Sequence, residues 1–423
     1  LLLQLHLAGH FDYQQGWIER HAVTDPEALR GVVVRLRETL SSWRHSVREV
    51  RESSYFINFY SCRQVWLMVQ YLHSSSHEQY GDELLQVLQA TVTEHPGDKD
   101  GATALLRRMR ECFSAPPSAS PAQLLAACGA ALDETLRSSA PRHRPTGNEP
   151  LEDIPADALK GDVSVICSPH VIEHTVSAFL RAGALPEREC LVFCHDTPIE
   201  TLTNLVLRWS GSEAEGRCPL YVIANADSLP LEQQAQLSAE IRDATSVKTR
   251  LVPLLLICTS ETSFVVSQFE AQRLQLRPLP TEALRHIGKC VSDASDPGSD
   301  SAGVCVYNGD AGSGKTFAVR TQCAQSRLQH VHVPVNGGLS AAQLLARIEA
   351  QTAATNKAGK VRGTMLHLDL SSSVRTEFDY ALFELTIVGS LVDPVSGRAF
   401  SWRPSETYIA VEVASGALVR QLQ

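Results

Sequence analysis

The chain has 423 residues, which is enough for about two to four domains that each bury a hydrophobic core. A composition of 43% hydrophobic and 20% charged residues is typical of a globular protein and excludes a disordered or collagen-like class. The net charge of -9 excludes a broadly basic surface, so we expect no nucleic-acid partner.

Cysteine spacing and hydropathy indicate the cellular compartment expected for the chain. The 11 cysteines lack CxxC pairs, which favours reduced thiols in a cytosolic or nuclear setting over a secreted disulfide framework. No run of about 18 apolar residues occurs, so no membrane span is expected. The chain begins with Leu1 rather than Met, which favours a fragment of a longer polypeptide.

Residues 1–145 are predicted to form an all-helical N-terminal part. Apolar residues recur at steps of three and four over 33–50, and similar bands cover 56–72 and 84–92. The aromatic residues Tyr55, Phe59 and Trp66 are interpreted as packing residues rather than as a ligand site.

Residues 146–291 are predicted to form an α/β linking domain. Its strands are predicted at 163–167, 190–194, 220–223 and 252–258, with helices at 171–181 and 231–242 between them. This alternation indicates a mostly parallel sheet. The segment Asn225-Ala-Asp227 is interpreted as a helix-capping turn, and the cysteines and histidines of this region lack the spacing of a zinc site.

Residues 292–423 again alternate between strands and helices. Strands are predicted at 304–308, 331–335, 365–369 and 408–413, and helices at 316–327, 341–355 and 376–388. The order predicts a second parallel sheet, with a glycine loop between its first strand and first helix.

The glycine loop matches the phosphate-binding motif G-x-x-x-x-G-K-[ST] between a strand and a helix. Glycines let successive N–H groups point inward at the positive end of the following helix, where phosphate binds. Lys315 is expected beside the β- and γ-phosphates, and the Thr316 hydroxyl on Mg²⁺. The nucleotide-binding residues predicted are Gly309, Asp310, Ala311, Gly312, Ser313, Gly314, Lys315 and Thr316.

Hydrolysis needs carboxylates at the end of a neighbouring strand. Asp369, at the end of Thr364-Met-Leu-His-Leu-Asp369, is predicted to serve the metal ion, but Leu370 follows it and cannot act as a base. The nearby acids Glu377, Glu384 and Glu412 are interpreted as surface or salt-bridging groups. The catalytic base therefore stays unassigned.

Two further residues of this region have expected roles. His367 interrupts the hydrophobic strand and is interpreted as a hydrogen-bonded core histidine. Ser415 stands just after the last strand, where P-loop ATPases often place a polar residue that senses the γ-phosphate, and is a candidate for that role.

The order of these segments resembles the giant AAA+ ubiquitin ligases of the mysterin type, in the stretch that leads into and includes the start of their ATPase core. The resemblance is carried by Phe59-Tyr-Ser-Cys-Arg-Gln-Val-Trp-Leu-Met-Val, by the tract from Val165-Ile-Cys-Ser to Leu256-Ile-Cys-Thr-Ser, by the loop 309–316, and by His367-Leu-Asp-Leu-Ser-Ser-Ser-Val374.

The resemblance implies a cytosolic protein in which linked AAA+ units form a ring and act with a distant ubiquitin-transferring module. Other AAA+ units of the same chain, and ubiquitin-pathway proteins through the parent protein, are the partners implied. Gly309, Gly314, Lys315 and Thr316 match the family's phosphate loop, and Asp369 matches its metal-side acid. Leu370 stands where the family has its catalytic glutamate. No RING-type Cys/His pattern occurs, so no ligase residue is assigned.

The fold class predicted is therefore α/β with an all-helical N-terminal part and, at the C-terminal end, a P-loop (AAA+) parallel sheet that is truncated before its helical lid. The function expected is an ATP-binding AAA+ unit with Mg²⁺ as cofactor and with weak or no hydrolysis. A degenerate P-loop scaffold and a free-standing P-loop NTPase remain as alternatives, and a P-loop kinase is a third reading for which no acceptor motif is found.

Overall fold

A computed structural model of the chain describes residues 2–8, 10–13, 26–73, 81–91, 99–137, 162–195, 197–215, 218–247, 252–274, 303–355, 363–371, 373–374, 378–393, 397–402 and 407–414. Within these residues the fold is α/β, with helices in the N-terminal part and two parallel sheets after it.

The N-terminal part is helical, as predicted. Its helices are α1 (Leu2–Leu7), α2 (Pro26–Ser53), α3 (Cys62–His73), α4 (Gly81–Thr91), α5 (Lys99–Cys112) and α6 (Pro121–Arg137). The apolar faces of α2, α3 and α6 meet in one core around Trp43, Met68 and Leu132. Trp66 belongs to this core and Tyr55 and Phe59 pack against it, which confirms their predicted packing role.

The middle part holds a five-stranded parallel sheet in the order β2-β3-β4-β1-β5. Its strands are β1 (Val163–Cys167), β2 (Leu191–Phe193), β3 (Tyr221–Ala224), β4 (Leu254–Cys258) and β5 (Arg273–Leu274). Its helices are α7 (Val171–Arg181), α8 (Ile199–Glu215), α9 (Leu231–Val247) and α10 (Phe264–Gln268). The strands β1 to β4 are almost wholly buried, as the continuous apolar runs predict. The short strand β5 was not predicted.

The C-terminal part holds a four-stranded parallel sheet in the order β6-β11-β8-β7. Its strands are β6 (Val304–Gly309), β7 (Gln329–Val335), β8 (Thr364–Leu370) and β11 (Thr407–Ala414). The helices are α11 (Lys315–Ser326), α12 (Ala341–Thr355) and α13 (Phe378–Phe383). The strand that follows the glycine loop in the chain, β7, lies farthest from it, because β11 inserts beside β6.

The two faces of this sheet have different coverings. Alternate residues of β8, Leu366, Leu368 and Leu370, form a core with α12. Met365, on the opposite face, packs instead against Val319 of α11. The residues of β8 that share the face of Met365 therefore point towards the helix that begins at the glycine loop.

The structure of this part departs from the predictions in two places. The helix predicted over 376–388 is an α-helix only over Phe378–Phe383 and continues as a π-helical turn, Glu384–Val388, which ends at Gly389 in a left-handed conformation. An antiparallel hairpin of β9 (Ser390–Val392) and β10 (Ala399–Ser401), which was not predicted, follows it and contacts α4.

Cysteine pairing also differs from the prediction of reduced thiols throughout. Cys190 and Cys218 form a disulfide. Each cysteine stands just before one of the neighbouring strands β2 and β3, so parallel pairing brings the two together. The other cysteines in the described residues are free thiols.

No helix within the described ranges is long and apolar enough to cross a membrane.

Candidate nucleotide site at the glycine loop

The glycine loop lies at the carboxyl end of β6 and runs directly into α11. Gly312 and Gly314 have φ angles of 80° and 86°, which residues with a side chain rarely adopt. A Cβ at Gly309 would lie 2.8 Å from Ser313 Oγ, so a larger residue there would have to displace the Ser313 side chain. Loop residues 310–314 are exposed, Asp310 and Ser313 among them. The first N–H groups of α11 have no acceptor within the helix and point into this loop.

Lys315 is folded back over the loop. Its Nζ donates to the backbone oxygens of Gly309, at 2.8 Å, and Asp310, at 2.9 Å. The side chain is only 9% exposed although the loop around it faces solvent. The ammonium group is therefore held at the concave side of the loop, close to the first turn of α11.

Glu412 is the carboxylate that the structure brings to the loop. It lies on β11, next to the loop strand β6, with 8% of its surface exposed. The Thr316 hydroxyl donates to Glu412 Oε2 at 2.8 Å, and Lys315 Nζ lies 3.9 Å from Glu412 Oε1. Of the two predicted alternatives for Glu412, the surface position is wrong, because the residue is buried, whereas the salt-bridging role is confirmed by its contact with Lys315.

His367 supports Glu412 from the neighbouring strand. Its ring is fully buried, its Nε2 lies 3.1 Å from Glu412 Oε2, and its Nδ1 lies 3.1 Å from Nε2 of His330. The interpretation of His367 as a hydrogen-bonded core residue is confirmed. The sequence did not reveal that His367 also connects His330, on the outer strand β7, to Glu412 at the loop site.

The protonation of this array follows from burial. Burial, followed by the neighbouring His367, His332 and Arg320, lowers the pKa of His330 to about 4. Burial also lowers the pKa of His367, and His332 lowers it further, while Glu412 opposes the shift. Both rings are then neutral at pH 7. Because a carboxylate only accepts, His367 donates to Glu412 from Nε2 and accepts from His330 at Nδ1.

Asp369 points to the same face as Glu412 but has a different partner. The two residues are directly opposed on β8 and β11. Asp369 Oδ2 lies 3.2 Å from Nε2 of His332, on the side away from β6. Leu370 is 2% exposed and belongs to the core on the opposite face, so the residue after Asp369 is turned away from the loop.

Three other residues have roles predicted from the sequence: Ser415, Glu377 and Asp227. Ser415 and Glu377 lie outside the described residues. Asp227 does not cap a helix: its carboxylate accepts from the backbone amides of Thr259 and Ser260 and so ties the end of β3 to the end of β4. Among the described residues, no group of three or more His, Cys, Asp or Glu side chains is arranged to bind a metal ion by itself.

A cavity of about 480 Å³ lies elsewhere, where the three parts of the chain meet. Its lining includes Phe59, Arg188, Asn204 and Tyr380 but no residue of the glycine loop. A cavity of this volume falls within the range of small-molecule sites. The loop is the stronger candidate, because a phosphate chain binds to an exposed ring of amides and needs no deep cavity.

Comparison with the known protein families found none that matches the chain, and a search of curated proteins found no significant similarity.

Proposed function

We propose that this chain binds ATP with Mg²⁺ through the loop from Gly309 to Thr316, as an AAA+ unit of a large ATPase of the ubiquitin-ligase type. One observation carries the nucleotide part of the proposal. A glycine loop with two left-handed residues ends a parallel strand and begins a helix, with Lys315 and Thr316 turned towards a buried carboxylate.

The residues of the loop fit a triphosphate with its metal ion. The amides at the start of α11, together with its dipole, favour negative charge at this end of the helix. Lys315 supplies a positive charge that is held by two backbone oxygens and lies 3.9 Å from a carboxylate. Mg²⁺ commonly keeps several waters and takes one or two protein oxygens plus phosphate, which agrees with the small donor set of Thr316 and the nearby acids.

The turnover of ATP is proposed to be slow. Bound Mg²⁺ would neutralise charge on the phosphates, but attack by water also needs a carboxylate in the right position. Leu370, the residue after Asp369, lies in the opposite core and has no group that could accept a proton.

Lys315→Ala tests the binding proposal. Titration of the full chain with ATP and Mg²⁺ in a calorimeter is expected to show saturable binding that this substitution removes. Arg320→Ala is the matched control, because Arg320 lies one turn further along α11 with its side chain exposed. Absence of any ATP binding by the unmodified, folded chain would refute the proposal.

A scaffold with a structural nucleotide is the second candidate, and the buried Leu370 favours it over a fast motor. Chromatography of the nucleotide released from natively purified protein separates the two. ATP that is unchanged after hours supports the scaffold, whereas slow conversion to ADP supports the ATPase unit. Turnover at the rate of ordinary AAA+ enzymes would contradict both.

Membership in a ligase-type ATPase rests on the resemblance of the ordered segments, and the partners proposed with it are other AAA+ units of the same polypeptide and proteins of the ubiquitin pathway. The sequence of the parent polypeptide tests this part. It is expected to contain further phosphate loops and a RING-type Cys/His cluster, and a parent without either would overturn the assignment.

A further inference from the structure

We infer that Glu412, rather than Asp369, is the carboxylate that serves the metal ion of this site, and that His367 is the residue that positions it. The inference rests on the proposed binding of ATP with Mg²⁺ and deepens it.

Thr316 links Glu412 to the metal position. The motif assigns the hydroxyl oxygen of this residue to the Mg²⁺ ion. That hydroxyl donates its proton to Glu412 Oε2 at 2.8 Å, so its oxygen lone pairs stay free for a metal ion. Glu412 is thus one hydrogen bond from the metal position, where an acid orients a ligand and raises its basicity.

Strand order places the two acids at different distances from the loop strand. Glu412 lies on β11, which pairs with the loop strand β6, whereas Asp369 lies on β8, one strand further away. Asp369 is also engaged by His332 from the outer strand β7. The chain thus turns one carboxylate towards the loop and ties the other one away from it.

Glu412 brings a largely buried negative charge to the loop. Lys315 Nζ lies 3.9 Å from Glu412 Oε1. Lys315 would also face the phosphates of a bound nucleotide, so its charge would be shared between them and Glu412. A divalent cation beside Thr316 would balance the charge of Glu412.

His367 is fully buried, and its Nε2 lies 3.1 Å from Glu412 Oε2. This contact and the one from Thr316 converge on the same oxygen, which fixes the orientation of the carboxylate. His367 touches neither the phosphates nor the metal position and acts through Glu412.

The test measures how strongly Mg²⁺ increases the ATP affinity of the full chain, by calorimetry in excess Mg²⁺ and in EDTA. Glu412→Gln keeps the shape and the hydrogen bond to Thr316 but loses the charge. We expect it to weaken the Mg²⁺ affinity of the ATP complex by about 10- to 100-fold, the usual effect of removing a supporting group at a metal site. Asp369→Asn tests the competing assignment of the metal role to Asp369 and is expected to reduce the Mg²⁺ effect much less than Glu412→Gln does.

The two proposals fail in different ways. If Asp369→Asn loses the Mg²⁺ effect and Glu412→Gln retains it, the inference is wrong while ATP binding stands. If the unmodified chain binds no ATP with or without Mg²⁺, both are wrong.

A second pair of variants tests the positioning role and does not depend on the folding of Glu412→Gln. His367→Leu removes the donor to Glu412 and is expected to reduce the Mg²⁺ effect. His367→Gln can still donate from its Nε2 and is expected to restore it. If His367 had only a structural role, both variants would lose the same share of the Mg²⁺ effect on ATP affinity. Alternatively, both would fold less well while the folded fraction kept the full Mg²⁺ effect. Either result would contradict the positioning role.

Discussion

Gly314 sets the backbone of the loop at the point where α11 begins. Its φ of 86° lies in the left-handed region, and a Cβ there would meet no atom within 4 Å. Gly314→Ala therefore adds backbone strain of about 1–2 kcal/mol without a steric clash. Because the strained conformation is the one that turns the amides inward, calorimetry should show ATP affinity lower by about tenfold.

Gly183 provides the control for this prediction. It follows α7 with a φ of 75°, has equally open space around its Cα, and lies far along the chain from the loop. Gly183→Ala should lower the free energy of unfolding by a similar amount and leave ATP affinity unchanged. Equal loss of affinity in both variants would show that strain acts on global stability rather than on the loop.

His330 makes the chain sensitive to acid. Its pKa of about 4 is below the usual 6.5, mainly because of burial. Below pH 6.5 the unfolded chain therefore takes up a proton that the folded chain refuses until about pH 4. The free energy of unfolding should fall as the pH drops through this window, as urea titrations at each pH would show.

His330→Gln removes the ionisation and should make the acid dependence shallower. The dependence that remains is expected from His367, whose pKa burial also lowers. An unchanged slope between pH 6.5 and pH 4 in His330→Gln would contradict the assignment. The slope of the free energy of unfolding against pH, and not its absolute value, is the measure, because the substitution also changes the contact with His367.

At the scale of single residues, sequence reasoning found the phosphate loop but not its acid. The loop is one continuous motif, and the turn needs its glycines at fixed positions. Glu412 is distant in sequence, and its role depends on β11 lying between β6 and β8. Strand order is set by tertiary packing, so the spacing of residues along the chain does not reveal it. The one signal was a glutamate inside an apolar strand, Tyr408-Ile-Ala-Val-Glu412-Val, where a buried charge needs partners.

At the scale of elements, two helical glycines should respond in opposite ways to a methyl group. Gly31 lies on the exposed face of α2, with no atom within 4 Å of its Cβ position. Gly31→Ala should stabilise the helix by about 0.5–1 kcal/mol, because alanine loses less backbone entropy. At Gly129 of α6 a Cβ would lie 2.8 Å from Ser54 Oγ and 3.2 Å from Val50 Cγ1, where α6 crosses α2.

Gly129→Ala should therefore cost about 1–3 kcal/mol, the usual range for an overpacked contact. Urea unfolding of the two variants checks both signs. If Gly129→Ala left the free energy of unfolding unchanged, α2 and α6 could move apart at no energetic cost. That result would contradict a close crossing of the two helices.

The elements themselves were largely predictable, and the failures share a cause. The helix over 171–181 and the strand over 163–167 have the predicted bounds, because hydrophobic periodicity and β-branched runs are local signals. The hairpin of β9 and β10 was missed, since its short strands carry no pattern long enough to read. The disulfide between Cys190 and Cys218 was missed because it depends on the pairing of β2 with β3.

At the scale of the whole molecule, polar and aromatic contacts join the three parts. Tyr55 of the helical part lies 3.2 Å, oxygen to oxygen, from Tyr221 of the five-stranded sheet. Phe193 of that sheet stacks on Tyr380 of the C-terminal part, with ring centres 4.8 Å apart. Gln64 donates to the backbone oxygen of Gly397 beside the β9–β10 hairpin. The free energy of each part therefore depends on the others, and unfolding should be cooperative across their boundaries.

Arg51 is the connection that tests this coupling. Its side chain, 5% exposed on α2, donates to the backbone oxygen of Tyr60 at 3.0 Å and to Glu200 of α8 at 2.9 Å. Arg51→Ala leaves these acceptors without their cation and should cost about 3 kcal/mol, the lower end for a broken buried pair because Glu200 is 33% exposed. Arg48→Ala, on the same helix but 72% exposed, should cost less than about 1 kcal/mol. Scanning calorimetry should show that Arg51→Ala lowers the unfolding temperature and splits the unfolding transition into two, whereas Arg48→Ala keeps a single transition. If both substitutions lowered the free energy of unfolding equally, the helical part would fold independently of the sheet.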